Sequence, residues 1–180
     1  MNIWHDINEK RIAPADFVAV IEIPKGSRKK YELDKETGLI MLDRVLHTSM
    51  RYPANYGFIP RTLSEDGDPL DVMVLGSESL EPMTLVRCFP IGVLEMTDGG
   101  EMDEKIIAVP FKDPYYNTYK DISEFPKHTG DEIVHFMSSY KLLENGNIVV
   151  KRIQGRAAAE KLVGTACAEY KKKFGKTQSS

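Results

Sequence analysis

Little in this chain of 180 residues suits covalent stapling, membranes or nucleic acid. Its two cysteines, Cys88 and Cys167, are far apart and outside any metal-type spacing. That excludes a disulfide framework, and both read as reduced, structural thiols of a cytosolic protein. No apolar run approaches the roughly 20 residues a membrane-spanning helix needs, and the N-terminal residues lack a signal-peptide pattern. A cytoplasmic location without a membrane partner is therefore expected. Positive charge is not in excess: 24 Lys and Arg face 27 Asp and Glu, a net charge of −3. A general nucleic-acid binder would carry the opposite balance and a platform of aromatics interleaved with basic residues. No Walker-type Gly-rich loop is present. His5, His47, His128 and His135 have no ligand-like pairing. Repeats and low-complexity stretches are missing, and only Lys171–Ser180, basic and then Ser-ended, reads as a frayed tail. The length suits one domain spanning residues 1–180, since roughly 100–200 residues per domain is usual. Such a domain can bury its own core.

What is present is a series of short strands followed by helices. Phe17–Ile23 is β-branched and stops at Pro24, while Lys30–Leu33 and Leu39–Leu42 flank Asp34–Gly38 as a hairpin. Val72–Leu75, Leu85–Leu94 and Lys105–Val109 continue the strands, a pattern of barrels and sandwiches. Pro126 sits like a first-turn proline. Ile133, Phe136, Met137, Tyr140 and Leu143 then recur at helical spacing up to Asn145-Gly146, predicting a helix over Pro126–Asn145. Asn147–Gln154 reads as a strand. Ala157, Leu162, Val163, Ala166 and Tyr170 mark an amphipathic C-terminal helix. The class is α+β.

The most informative stretch is Asp66-Gly67-Asp68-Pro69-Leu70-Asp71, which runs into the apolar Val72–Leu75. Three carboxylates within six residues repel one another, so a fold that gathers them needs a neutralising cation. Hard divalent cations prefer such oxygens, and the Gly and Pro permit a tight turn on which the acids converge. The plain alternative is a solvated acidic turn. An EF-hand is excluded, because its Gly and closing Glu would fall at other positions.

Other motifs accompany that turn: Ile21-Glu22-Ile23-Pro24, Lys30-Tyr31-Glu32, Asp43-Arg44, Tyr52 to Phe58, then Asp98, Asp103, Lys105 and Tyr140-Lys141. In this order and spacing, from about Phe17 to Lys141, the chain resembles the soluble family I inorganic pyrophosphatases of the short bacterial type. The resemblance implies a five-stranded, OB-like closed β-barrel with two outer helices. It also implies hydrolysis of inorganic pyrophosphate to two phosphates, which would pull pyrophosphate-releasing biosynthesis forward. Several Mg²⁺ per site would serve, with Mn²⁺ or Zn²⁺ as partial substitutes.

By the same resemblance, Asp66, Asp71 and Asp103 match ligands of the two metals that hold the attacking water. Asp98 and Asp103 match ligands of a further metal, and Glu22 lies near a fourth. Asp68 matches the general base, and Glu32 a supporting carboxylate. Lys30, Arg44, Lys105 and Lys141 match phosphate-binding cations, and Tyr52, Tyr56 and Tyr140 the hydroxyls. Taken singly, each acid or lysine also reads as solvated and each tyrosine as core. The charges Glu22, Lys30 and Glu32 inside strand-like context say more, because they imply one polar face at a barrel mouth. Two positions depart from the family pattern: Gly99 stands where an acid often follows Asp98, and Phe58 where a tyrosine is common. Relatives of this length assemble as homohexamers, dimers of trimers, using the helix that carries His135. Two other readings stay open: an OB-like binding module with structural cations, and a broader phosphoanhydride hydrolase acting on nucleotides or polyphosphate.

Overall fold

The computed structural model describes residues 1–175. Among them, the strands are β1 (Ile12–Ala13), β2 (Asp16–Ile23), β3 (Lys29–Leu33), β4 (Ile40–Val45), β5 (Asn55–Phe58), β6 (Asp71–Val74), β7 (Leu85–Asp98), β8 (Glu101–Met102), β9 (Lys105–Pro110) and β10 (Ile148–Gly155). The helices are α1 (Ile3–Asp6), α2 (Lys127–Ser139) and α3 (Arg156–Phe174).

Five strands close on themselves. β2 pairs with β5, β5 with β6, β6 with β9, β9 with β7, and β7 again with β2. All these pairings are antiparallel except β6–β9. A ring of this kind leaves no open edge among its members. The architecture is α+β, as the element pattern predicts, and OB-like, as the family resemblance implies. β7 is long enough, at 14 residues, to serve four neighbours, its last two residues also pairing with the short β8. Its first residues face β2, its middle faces β9, and its last part carries β10. β3 and β4 form a separate two-stranded ribbon.

The ring strands are buried on both faces, which is why their sequences are nearly continuous apolar runs. Met73, Ile107 and Val109 pack with Ile133, Phe136 and Met137 of α2. Their neighbours Val72, Val74, Ile106 and Ala108 pack with Ala159, Val163 and Ala166 of α3. Alternate strand side chains point to opposite faces, so one strand serves both clusters. At Gly57 of β5 a Cβ atom would lie 1.8 Å from the Val20 carbonyl of β2. The two backbones meet there only because the residue is glycine. Cys88 is buried and Cys167 half-buried, and both are free thiols.

Four boundaries differ from the sequence reading. α2 ends at Ser139 and is followed by a short 3₁₀ turn, Leu142–Glu144, and by Asn145 at φ +56°. Leu143 therefore leaves the apolar stripe and is 68% exposed. Pro126 caps α2 from just outside it. α3 begins at Arg156, whose N–H donates to Asp121 Oδ2 at 2.8 Å, and buries Ala159 where the sequence pointed to Ala157. It continues through Phe174, so Lys171 to Phe174 are helical rather than frayed; residues 176–180 lie outside the described part. β5, β1 and α1 were not read as elements in the sequence, because each is too short for a periodicity.

Candidate active site

The Asp66–Asp71 turn is built from its own backbone. Gly67 sits at φ +88°, a conformation open chiefly to glycine. Asp66 Oδ1 accepts the Asp68 N–H at 2.9 Å, and the Ser64 N–H donates to the Asp68 carbonyl at 2.8 Å. Leu70 is buried and its N–H donates to Thr62 Oγ1, which ties the turn to the core. Asp71 is thereby delivered as the first residue of β6. Its Cα partner on the parallel neighbour is Lys105, the first residue of β9. The two side chains meet as an ion pair, with Lys105 Nζ 2.5 Å from Asp71 Oδ2 and in contact with Asp103 as well. Tyr56 Oη donates to the same Asp71 oxygen at 2.8 Å.

β-Bulges aim the other charges. Glu22 falls at a register shift between Ile21 and Ile23 of β2, where a bulge redirects a side chain. Its Oε1 accepts the Leu33 N–H at 2.8 Å. A second shift, beside Lys30 in the ribbon, leaves Asp43 without a strand partner, and Asp43 contacts both Lys30 and Arg44. Lys30 also pairs with Glu32. Gly99 and Gly100, at φ +59° and +90°, turn β7 into β8, so the residue after Asp98 occupies a left-handed position that suits glycine. Asp98 itself pairs with Lys141 just past the end of α2.

Eleven of the candidate residues line one cavity of about 280 Å³: Glu22, Lys30, Glu32, Tyr56, Asp66, Asp68, Asp71, Asp103, Lys105, Tyr140 and Lys141. Tyr52, Arg44 and Asp98 stand outside its wall. Tyr52 is buried behind it, its ring 5.4 Å from Tyr56 and 6.4 Å from Tyr140. Arg44 is held by Asp43 and Glu144, and Asp98 touches the wall through Lys141. The sequence reading missed Lys35, which lines the cavity and pairs with Asp68, and Glu144, the partner of Arg44. Neither belongs to a motif; both lie on turns whose placement depends on the fold.

Charge crowding shifts these groups as physics requires. Burial, aided by the Asp71 carboxylate, pushes Glu22 up to about 8. Burial also raises Asp66, with Asp68, Asp71 and Asp103 adding to the effect and the Asp68 N–H opposing it. Burial disfavours the Lys105 ammonium, but Asp71 and Asp103 more than offset it and its pKa is raised. Tyr52, Tyr56 and Tyr140 are raised, chiefly by burial, and remain neutral hydrogen-bond donors.

Glu22 gives a first expected result. Its folded pKa lies above the unfolded 4.5, so the folded state holds a proton that the unfolded state releases. Stability from this group is present below about 4.5 and is lost as pH rises through about 8. The melting temperature of chelator-treated protein should fall across that window, and Glu22→Gln should flatten the fall. An unchanged slope in the variant would assign the buried proton to another group.

The donors fit hard cations. Six acids and four lysines line the cavity, so it is net negative before a phosphate anion enters. A polyanion can be held there only if further positive charge comes with it. All candidate ligands are carboxylates, without His or Cys, which favours hard cations of the Mg²⁺, Ca²⁺ and Mn²⁺ kind over softer metals. Among the described residues no three ligating side chains converge as a finished cage. Mg²⁺ is ordinarily held by one or two carboxylates with waters and substrate phosphates.

A closed β-ring whose strand ends gather carboxylates, lysines and tyrosine hydroxyls about one cavity has the equipment of a metal-assisted enzyme of phosphate chemistry. Comparison with known proteins narrows this class. The inorganic pyrophosphatase family profile matches residues 19–171. Soluble inorganic pyrophosphatase 2 of Chlamydomonas reinhardtii is 48% identical over 171 residues, 95% of this chain and 89% of the relative. The rice (Oryza sativa subsp. indica) soluble inorganic pyrophosphatase is 54% identical over 147 residues, 82% of this chain and 69% of the relative. The inorganic pyrophosphatase structure from Thermus thermophilus superposes with a TM-score of 0.89 at 39% identity, covering 95% and 99% of the two chains. That from Helicobacter pylori gives 0.85 at 45% identity, covering 88% and 95%. The chain belongs to the inorganic pyrophosphatase family.

Proposed function

We infer that this protein hydrolyses inorganic pyrophosphate to two phosphates with the help of divalent metal, Mg²⁺ in particular. The observation that carries this reading is the single cavity in which the acids of the Asp66–Asp71 turn face Lys30, Lys105 and Lys141. In the reaction a water oxygen bonds to one phosphorus, the bridging P–O bond breaks, and the second phosphate leaves with the electron pair. Bound at Asp66, Asp71, Asp98, Asp103 and Glu22, Mg²⁺ would screen the phosphate oxygens and acidify the attacking water.

The residues have the following roles. Asp68, a half-exposed carboxylate in the cavity wall, takes the proton from that water. Lys30, Arg44, Lys105 and Lys141 hold phosphate oxygens, and Tyr52, Tyr56 and Tyr140 donate neutral hydrogen bonds to them. Glu32 orients Lys30, its ion-pair partner. Every one of these cations is paired with an acid before substrate arrives, so binding exchanges carboxylate partners for phosphate ones. Such exchange limits the desolvation cost of bringing in a highly charged ligand.

Residues 1–180 are proposed to act as one domain, in the cytoplasm, with no nucleic acid or membrane partner. No helix among the described residues is long and apolar enough to cross a membrane. The proposed assembly is a homohexamer of two stacked trimers. It would use α2, where His135 is exposed, and a monomer in light scattering at micromolar concentration would contradict it. The deciding experiment for function is phosphate release from pyrophosphate compared with ATP and tripolyphosphate in excess Mg²⁺. Rapid release from pyrophosphate and far slower release from the others is expected. No release between about pH 7 and 9 would overturn the reading in favour of a binding module.

A further inference from the structure

We propose that Lys35, at the tip of the β3–β4 ribbon, is a further substrate-binding residue, trading Asp68 for a phosphate oxygen when pyrophosphate binds; this rests on the function proposed above. The ribbon supplies Lys30, Tyr31, Glu32, Leu33 and Lys35 to the cavity wall. Lys30 and Glu32 come from a strand, but Lys35 lies on the Asp34–Gly38 turn and reaches in from the rim. Its ammonium pairs with Asp68, and both side chains are about half exposed, 52% and 48%. A pair this open to water contributes little to stability. Holding the fold together therefore does not account for its placement.

The backbone beneath Lys35 is anchored. Asn2 Nδ2 donates to the Lys35 carbonyl at 2.9 Å. Gly38, two residues before β4 begins, is buried against Met1 and Asn2, where a Cβ atom would lie 2.9 Å from the Met1 carbonyl. Asn2 also caps α1 by accepting the Trp4 N–H, and Trp4 is buried against Tyr170 and Phe174 of α3. The turn is thus tied through α1 to the body of the protein. Only the four-carbon stem of Lys35 is free to swing, which is the arrangement a residue that changes partners needs.

Asp68 has no other cationic partner among the described residues. An anion arriving beside Asp68 would repel its carboxylate and attract the Lys35 ammonium. Moving Lys35 onto the phosphate supplies a charge-assisted hydrogen bond and leaves Asp68 free to face the attacking water. The class of ligand is a diphosphate with its metal, and Lys35 contributes to its capture rather than to the chemical step.

The test uses the full chain in excess Mg²⁺ with imidodiphosphate, a diphosphate analogue bridged by nitrogen, followed by calorimetry, and kcat and KM for pyrophosphate beside it. Lys35→Gln should weaken analogue binding about tenfold and raise KM with a smaller change in kcat. Lys35→Arg should restore both. Lys29→Gln, the same charge change on an exposed ribbon residue outside the cavity, should leave them within about twofold. Equal analogue affinity in Lys35→Gln and wild type overturns the assignment. So does an equal loss in Lys29→Gln, which would mean a general effect of charge. Absence of phosphate release by wild type would overturn the proposed function alone if the analogue still bound through Lys35. No binding by wild type would overturn both.

Discussion

Replacing Asp68 with asparagine is expected to leave the protein folded and able to bind metal while slowing turnover by about 10² to 10⁴, the usual contribution of a positioned general base. The backbone of Asp68 is fixed by Asp66 and Ser64, and its side chain is half exposed. Exchanging the carboxylate for a near-isosteric amide there should change stability by no more than about 0.5 kcal/mol. The amide cannot accept a proton from water, so the loss should appear in kcat. Asp71→Asn should behave differently. Asp71 neutralises the buried Lys105 and accepts from Tyr56, so removing its charge strikes metal affinity and stability together. Measuring kcat, melting temperature and Mg²⁺ affinity of the two variants side by side separates these roles. If saturating Mg²⁺ returned full turnover to Asp68→Asn, the general-base role would be wrong.

Removing metal should have an effect of the same order or larger. The ionised acids of the cavity wall outnumber its four lysines even with Glu22 protonated, so the wall alone does not neutralise a diphosphate; a chelator should abolish phosphate release and added Mg²⁺ should restore it. Ca²⁺ should bind the same carboxylates yet inhibit the Mg²⁺ enzyme. Its bonds to oxygen run about 2.3–2.6 Å against about 2.0–2.1 Å for Mg²⁺, and it accepts six to eight ligands in loose geometry. The longer bonds would shift the attacking water from its line to phosphorus and polarise it less. The measurement is a Ca²⁺ titration at fixed pyrophosphate, with the Mg²⁺–pyrophosphate concentration held constant so that substrate depletion is excluded. Equal turnover with Ca²⁺ alone would reduce the metals to charge screening. Mn²⁺ or Zn²⁺ should support partial activity.

Much of the site was legible in the linear order of residues because its acids and lysines are attached to short local devices. The Asp66–Asp71 turn encodes itself: its glycine permits φ +88°, its first acid accepts the N–H of the second, and its proline leads to a buried leucine. The hairpin around Asp34–Gly38 and the helix carrying Phe136 and Met137 were likewise readable, since turn chemistry and periodicity act over a few residues. The β-branched runs pointed to strands, and their order pointed to an α+β class.

Contacts between residues distant in sequence were decided by tertiary structure. The parallel pairing that sets Asp71 beside Lys105 spans 34 residues, and nothing local to either strand specifies it. The end of α2 at Ser139 is likewise not visible in the apolar spacing, which continues to Leu143. Past that end Lys141 pairs with Asp98 and Glu144 with Arg44, so ion pairs to distant strands accompany the break in helix periodicity. The bulge that turns Glu22 inward, and the tether from Asn2 that places Lys35 over Asp68, also depend on partners elsewhere in the chain. By itself the sequence determined which groups were available and which short turns would hold them. The closed ring decided which of them face one another, because charges separated by tens of residues interact only after the strands between them have paired.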